Sequence, residues 1–211
     1  PLLRMNALEE LELEYLPAEI LGDFFTALND STCRVKTLKL NVFRPGSLIS
    51  SQAILNQVAS MLEQNSCLEE LHTGIDKKIS IANLGVALQR NTSLRVLDLW
   101  FMGVCKKNDV DVFLDLLENY NTTLQVMEGF LFHLPKIDKE TNQKINKIHF
   151  LLELNRNHQR DRLLGATLQH HADAEDPTID DWVDVIISSK NNVSVLFYYL
   201  TINPSLMLAK Y

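Results

Sequence analysis

Leu94-Arg-Val-Leu97-Asp-Leu99 is one of five copies of a short pattern in this chain: two apolar positions three residues apart, then a third position two residues later. The other copies are Leu8-Glu-Glu-Leu11-Glu-Leu13, Val35-Lys-Thr-Leu38-Lys-Leu40, Leu68-Glu-Glu-Leu71-His-Thr73 and Leu124-Gln-Val-Met127-Glu-Gly129. They begin at residues 8, 35, 68, 94 and 124, so the spacing stays between 26 and 33 residues. A short strand pattern at a nearly constant period predicts stacked repeats that share one core.

Segments with helical spacing of apolar residues separate the five copies. The residues that carry this spacing are Ile20, Phe24, Phe25 and Leu28; Ile54, Leu55, Val58, Met61 and Leu62; Leu84 and Leu88; and Val110, Phe113, Leu114 and Leu117. Because strands alternate with helices, we expect an α/β fold with a parallel sheet.

Asparagine stands three residues before three of the copies, in Asn65-Ser-Cys-Leu68, Asn91-Thr-Ser-Leu94 and Asn121-Thr-Thr-Leu124. We expect these asparagines to close the helices, because Asn tolerates the left-handed backbone of a helix C-terminus. Since strand motif, helix and asparagine recur together, residues 5–135 resemble the ribonuclease-inhibitor-like class of leucine-rich repeats. The resemblance implies a right-handed α/β solenoid, with a parallel sheet on its concave face and helices on its convex face.

The chain departs from that class in two ways. The Asn or Cys that usually follows the third position by three residues is replaced by Leu16, Phe43, Asp76, Met102 and Phe132. We therefore expect packing, rather than a ladder of side-chain hydrogen bonds, to hold these turns. Thr73 and Gly129 occupy third positions and are expected to weaken the third and fifth strands.

Two predicted domains follow: an array of about five repeats over residues 1–135, and a helical C-terminal cap and tail over residues 136–211. Residues 136–160 carry an apolar row among charged residues, which predicts an amphipathic helix that closes the array. Two later apolar stretches, at 182–187 and 193–200, predict helices that pack on the cap or form an arm reaching into a neighbour. Runs of about ten apolar residues are shorter than the roughly 20 that cross a membrane, so we predict no transmembrane segment.

The cap and tail resemble those of short leucine-rich-repeat proteins of diatoms and related algae, in the run Lys147–Arg156 and in a tryptophan helix followed by an aromatic helix and an Asn-Pro turn. The resemblance implies an organelle such as the plastid and peripheral association with a membrane complex. Residues Cys33, Cys67 and Cys105 neither pair evenly nor cluster, which favours free thiols in a reducing intracellular compartment. The first residue, Pro1, leaves open whether a targeting segment preceded it.

The balance of 20 basic and 27 acidic residues gives a net charge of −7, which disfavours nucleic acid as a partner. No Gly-rich phosphate loop, nucleophile elbow or His-Glu-x-x-His pair is present in the sequence. A thiol nucleophile would need Cys105 beside His133 or His149 and an acid such as Asp98, and these residues belong to different repeats. We therefore predict that the protein is not an enzyme.

The densest set of potential metal ligands is a polar run in the tail: His170, His171, Asp173, Glu175 and Asp176. Its spacing matches no recurrent metal site, so we predict neither a metal nor a cofactor, with a metal-dependent hydrolase at His170 and His171 as an alternative. Four Asn-x-Ser/Thr triplets begin at Asn29, Asn91, Asn121 and Asn192. Three of them lie at repeat helix ends, where the backbone already requires Asn, so we do not expect glycosylation.

The variable positions of each copy point away from the core of an alternating strand, and we expect them on the concave face. The predicted protein-binding residues there are Glu10, Glu12, Glu14, Lys39, His72, Asp98, Trp100, Phe101, Phe130 and Leu131. Large aromatic side chains rimmed by charge are typical of a protein-binding hot spot. In the alternative interpretation the cap or tail covers Trp100 and Phe130, and the glutamates form an ordinary solvated edge.

These observations predict a non-enzymatic protein–protein interaction module, a subunit or scaffold of a larger assembly. It would bind another protein or complex through the concave face and the C-terminal tail. Lys36 and Lys39 interrupt the acidic surface, so a partner attracted by charge should carry an alternating pattern. The alternative is a regulator or inhibitor of a small GTPase or of a nuclease, as some relatives of this repeat class are, although nuclease inhibitors have many more repeats.

Overall fold

The structure is a computed structural model, and it describes residues 8–14, 20–40, 51–75, 80–101, 107–129 and 138–156. In these segments five strands alternate with five helices. The strands are β1 (Glu10–Leu13), β2 (Thr37–Leu40), β3 (Glu70–Ile75), β4 (Val96–Phe101) and β5 (Val126–Glu128). The helices are α1 (Leu21–Leu28), α2 (Ser51–Gln64), α3 (Ala82–Arg90), α4 (Lys107–Asn119) and α5 (Lys139–Arg156).

The strands form one parallel sheet in chain order, β1-β2-β3-β4-β5. Each copy of the sequence pattern supplies one strand, and the second apolar positions align in one row across the sheet: Leu11, Leu38, Leu71, Leu97 and Met127. Immediately before the strands, single carbonyl groups each accept two backbone N–H groups from the next repeat; they belong to Glu9, Lys36, Glu69 and Arg95. The predicted α/β fold with a parallel sheet is confirmed.

The apolar side of the sheet packs against the helices, and neighbouring helices pack on one another in chain order. Leu38, Leu71 and Leu97 have no exposed surface, and neither do Leu62 and Phe113 from the helices. Gly85 allows α3 and α4 to approach closely, because a Cβ atom there would lie 2.6 Å from Cγ1 of Val112. One repeat alone could not bury its apolar face, and stacking on neighbouring repeats buries it in a shared core.

The recurring asparagines have a different role from the expected one. Asn91 has φ −76° and ψ 127°, which is extended rather than left-handed backbone. Its Oδ1 accepts the N–H groups of Ser93 (3.1 Å) and Leu94 (2.8 Å), while its Nδ2 donates to the carbonyls of Leu62 (2.8 Å) and Asn65 (3.0 Å). The explanation from left-handed backbone is therefore wrong for Asn91, where side-chain hydrogen bonds join one repeat to the next.

Equivalent contacts at neighbouring repeats form a continuous asparagine ladder, which comprises Asn65, Asn91, Asn121 and Asn155. All four residues are buried. We expected packing, rather than a ladder of side-chain hydrogen bonds, to hold the turns that follow the strands. The structure shows a ladder of this kind at the opposite end of the strands, where each strand begins. The five replaced positions after the strands lie outside the described residues. Because Nδ2 of Asn91 and of Asn121 is buried and donates hydrogen bonds, neither amide is available for glycosylation in the folded chain.

Thr73 and Gly129, the two unusual third positions, behave differently. Thr73 is 2% exposed in the core row, and β3, which is six residues long, continues for two residues past it, so Thr73 does not end this strand. Gly129 follows the three-residue β5 and has φ 72°, with its backbone so close to β4 that a Cβ atom would lie 2.2 Å from the carbonyl oxygen of Leu99. This position therefore requires glycine.

Helix α5 packs along α4, where Lys144 pairs with Asp111 (2.8 Å) and Lys147 pairs with Glu118. At its end Asn155 donates to the carbonyls of Asn121 (3.3 Å) and Leu124 (2.7 Å). The predicted tail, with its metal-ligand run and two apolar helices, lies outside the described residues. In the segments that the structure covers, no helix is long and apolar enough to cross a membrane.

Candidate protein-binding surface

The second face of the sheet carries the side chains that alternate with the buried row. One row of register partners, here called the central row, consists of Glu12, Lys39, His72, Asp98 and Glu128. A parallel row two residues earlier consists of Glu10, Thr37, Glu70, Val96 and Val126. We call this side the exposed sheet face, because most of these side chains are exposed or half-buried.

The β1 end of the exposed sheet face is organised by a cross-strand ion pair. Lys39 Nζ lies 2.5 Å from Oε1 of Glu10, while just before β2 and β3 Lys36 Nζ lies 3.8 Å from Oε1 of Glu69. The hydrogen bond and positive charge of Lys39 lower the pKa of Glu10, and the same contact raises the pKa of Lys39. The charge on Glu10 is thus compensated within the sheet, whereas no hydrogen bond or ion pair joins the side chain of Glu12 or Glu14 to another described residue.

The β4 end is organised around the carboxylate of Asp98. Its Oδ2 lies 3.2 Å from Nδ1 of His72 and accepts a hydrogen bond from Nε1 of Trp100. On the other side of the imidazole, Nε2 of His72 lies 3.6 Å from Oε2 of Glu70. Residues two apart on one strand share a face, so Asp98 and Trp100 can bond within β4 while Asp98 reaches across to β3.

Trp100 is exposed although it belongs to the sheet. The residue is 59% exposed, while Asp98, whose carboxylate accepts the indole N–H, is only 7% exposed. The register partner of Trp100 on β3 is Gly74, so that neighbouring strand places no side chain beside the indole. Helix α5 leaves Trp100 open to solvent. The indole is therefore held in one orientation and presented to solvent.

The predicted site residues separate into three groups. Glu10, Glu12 and Trp100 are exposed and Lys39 and His72 are half-buried, all on one face, and Glu14 is exposed directly after β1. Asp98 was expected on the exposed surface, but this prediction is wrong: its carboxylate is buried beneath His72 and Trp100. Phe130, Leu131 and the side chain of Phe101 lie outside the described residues, so the proposed cover over Phe130 stays a prediction.

Sequence reasoning left two carboxylates out of the predicted site. Glu70 contacts His72, and Glu128 is the register partner of Asp98. The sequence pattern could have identified them, because both residues occupy variable positions of the repeat pattern, next to or equivalent to predicted site residues. What the pattern could not supply was the hydrogen bonding that distinguishes a buried orienting carboxylate from an exposed one.

Catalytic and metal candidates are not assembled in the part of the chain that the structure covers. Cys105, His133 and the histidine pair at 170–171 fall outside it, and no group of three or more His, Cys, Asp or Glu residues within it could hold a metal ion. His149 lies on α5, where burial lowers its pKa. Asp98 is committed to His72 and Trp100.

A groove of about 440 Å³ lies beside the asparagine ladder, at the entrance to the strands. It is lined mainly by hydroxyl and amide side chains, with Arg95 and Glu69 at the sheet side. No aromatic side chain lines it. This polar groove therefore lacks the anchors that characterise protein-binding hot spots, and it serves as an internal comparison for the exposed sheet face.

Comparison with known proteins adds a likeness of fold. No family model matches the sequence, and no curated protein matches it either. Twelve chains of solved structures match, among them "Leiomodin-1 Actin-Binding Site 2 (ABS2)", at 22% sequence identity and a TM-score of 0.54. The match covers 78% of this chain and 90% of that one. At this identity, what the chain shares with the leiomodin structure is the fold.

Proposed function

We propose that this protein is a non-enzymatic leucine-rich-repeat solenoid that binds another protein through its exposed sheet face. The observation that carries the proposal is Trp100, which is 59% exposed yet held by a buried carboxylate. A solvent-facing indole has no role in the core, whereas aromatic anchors with restricted motion are typical of binding hot spots. A role as subunit or scaffold of a larger assembly accounts for such a surface.

The regular register supports the solenoid interpretation. Each pattern copy supplies a strand, each strand is followed by a helix, and the asparagine ladder repeats between units. Repeats that contact chiefly their neighbours are the defining property of a solenoid. The predicted second binding element, the C-terminal tail, and the predicted association with a membrane complex remain part of this proposal.

The leiomodin structure supplies one defined partner to test, since it is the structure of an actin-binding site. We infer only that a fold of this kind can serve protein binding, because fold alone does not fix the partner. Purified monomeric and filamentous actin are therefore suitable first probes, by gel filtration and by co-sedimentation. Binding of either form that depends on Trp100 would identify a partner directly.

The general test uses the full chain and compares one variant on the face with two elsewhere. Trp100→Glu places a charge on the proposed surface, Tyr120→Glu alters an equally exposed aromatic side chain after α4, and Arg95→Gln alters the polar groove. Proteins cross-linked to each variant in extracts of the source organism are identified by mass spectrometry. The proposal requires a partner that is lost only from Trp100→Glu, with all three variants folded.

Retention of every partner by Trp100→Glu would overturn binding through this face. Loss from Arg95→Gln alone would move the site to the polar groove. The alternative function, regulation of a small GTPase or a nuclease, predicts that the partner itself is such an enzyme and that its activity changes on binding. The identity of the cross-linked partner therefore separates the two functions.

A further inference from the structure

Glu128 is the carboxylate at the β5 edge of the exposed sheet face, and its side chain has no internal role. It is exposed, and, as for Glu12 on β1, neither a hydrogen bond nor an ion pair joins its side chain to another residue in the described segments. The neighbouring carboxylates differ: Glu10 is paired with Lys39, Glu70 contacts His72, and Asp98 is buried. The face therefore holds one uncompensated acid at its β5 edge.

Trp100 and Glu128 are diagonal neighbours on this face. Glu128 is the register partner of Asp98, and Trp100 lies two residues after Asp98 on the same strand. Diagonal pairs across neighbouring strands are about 7–8 Å apart, which is within reach of one long side chain of a partner. An indole face and a carboxylate at that separation are complementary to a planar cation.

The central row and its neighbour are also acidic as a whole. These two rows contain one basic residue, Lys39, if histidine is counted as neutral. They contain five acidic residues, Glu10, Glu12, Glu70, Asp98 and Glu128. A negatively charged face attracts a basic partner and repels an acidic one. Charge complementarity thus agrees with the local geometry at Trp100.

We propose that the exposed sheet face binds an arginine-bearing segment of its partner, with a guanidinium stacked on Trp100 and paired with Glu128. This inference rests on the proposed function, because it names the chemistry of the partner at the same surface. Arginine is favoured over lysine, since a guanidinium can stack on the indole and form two parallel hydrogen bonds to a carboxylate. The Asp98 hydrogen bond keeps the indole oriented for that contact.

The test uses two fluorescently labelled peptides in which glycine alternates with arginine or with lysine. Fluorescence anisotropy measures their binding to the full chain at the same ionic strength. We expect the arginine peptide to bind about three-fold more tightly than the lysine peptide, as exposed cation–π contacts allow. Trp100→Leu should remove this preference, and Glu128→Gln should weaken binding of the arginine peptide about two- to five-fold.

Matched controls separate a local contact from general attraction. Tyr120→Leu removes an aromatic side chain that is 54% exposed elsewhere, and Asp23→Asn removes an exposed carboxylate on helix α1. Both should keep the preference for arginine. Trp100→Phe retains an aromatic surface without the Nε1 donor, so it should keep part of the preference even if Trp100→Leu were unstable.

Equal binding of the two peptides, no measurable binding at millimolar arginine peptide, or an unchanged preference in Trp100→Leu would overturn the arginine proposal. Its failure is distinguishable from failure of the proposed function. If Trp100→Glu loses a native partner but the peptides do not differ, protein binding stands and the arginine contact is wrong. If Trp100→Glu keeps every native partner, the proposed function itself fails.

Discussion

The asparagine ladder and the central row both recur once per repeat, yet the ladder keeps the same residue and the central row changes it. In the ladder, a buried polar side chain recurs almost unchanged, because each amide completes backbone hydrogen bonds between repeats. In the central row the side chain changes from each strand to the next, and four of the five side chains are titratable and in contact with solvent. One repeat period therefore supports a constant stabilising position and a variable binding position.

Replacing a ladder asparagine should produce the largest loss of stability. Asn91→Ala removes the acceptor of two backbone N–H groups and the donor to the carbonyls of Leu62 and Asn65, of which the second still accepts from Oγ of Ser93. We expect a loss of about 3 kcal/mol, because unsatisfied buried groups each cost roughly 1–3 kcal/mol and some recover a partner. Urea unfolding followed by circular dichroism measures the change.

The matched control for this prediction is Asn83→Ala on α3, an exposed asparagine whose Nδ2 donates to Asn56. Its effect should stay within about 0.5 kcal/mol, as for other surface substitutions. Equal effects of the two variants would contradict the ladder as a main source of stability.

A side chain at Gly129 should cost nearly as much. Gly129→Ala forces a Cβ atom onto the Leu99 carbonyl in backbone with φ 72°, so we expect a loss of about 2 kcal/mol or more. Gly22→Ala is the control, because nothing lies within 4 Å of its Cβ position and it lies inside α1. That control should gain about 0.5–1 kcal/mol. Thermal unfolding of both variants decides the sign, and a loss for both would contradict the argument.

The repeated part of this fold could be predicted from the sequence because its cause is periodic. Alternation of Leu11 and Leu13 with glutamates defines a strand, and helical spacing places Leu62 and Phe113 in the core. The role of Asn91 was missed, since spacing shows where an asparagine recurs but not which atoms its amide reaches. Asp98 was misjudged for the same reason: alternation places it on the exposed face, and only its contacts with His72 and Trp100 show that it is buried.

His149 is a half-buried polar group outside the ladder, and it tests how such a group affects stability. Burial lowers its pKa below the ordinary value of 6.5. As the pH falls below 6.5, His149 therefore becomes protonated in the unfolded chain before it does so in the folded chain. The free energy of unfolding decreases as a result. The slope cannot exceed about 1.4 kcal/mol for each pH unit. His149→Gln should lessen the fall in stability between pH 7 and pH 5, which urea titrations at each pH measure; an unchanged fall would contradict the assignment.

Substitution of Trp100 should have the smallest effect on folding and thereby sharpen the contrast with the ladder. An indole that is 59% exposed contributes little burial, and Asp98 keeps its contact with His72 when the indole donor is lost, so Trp100→Leu should lower the free energy of unfolding by no more than about 1 kcal/mol. Leu97→Ala, three residues earlier on β4 and fully buried, should cost about 2–5 kcal/mol. If urea unfolding gave Trp100→Leu a comparable loss, the indole would belong to the core, and its conformation would need no binding partner to explain it.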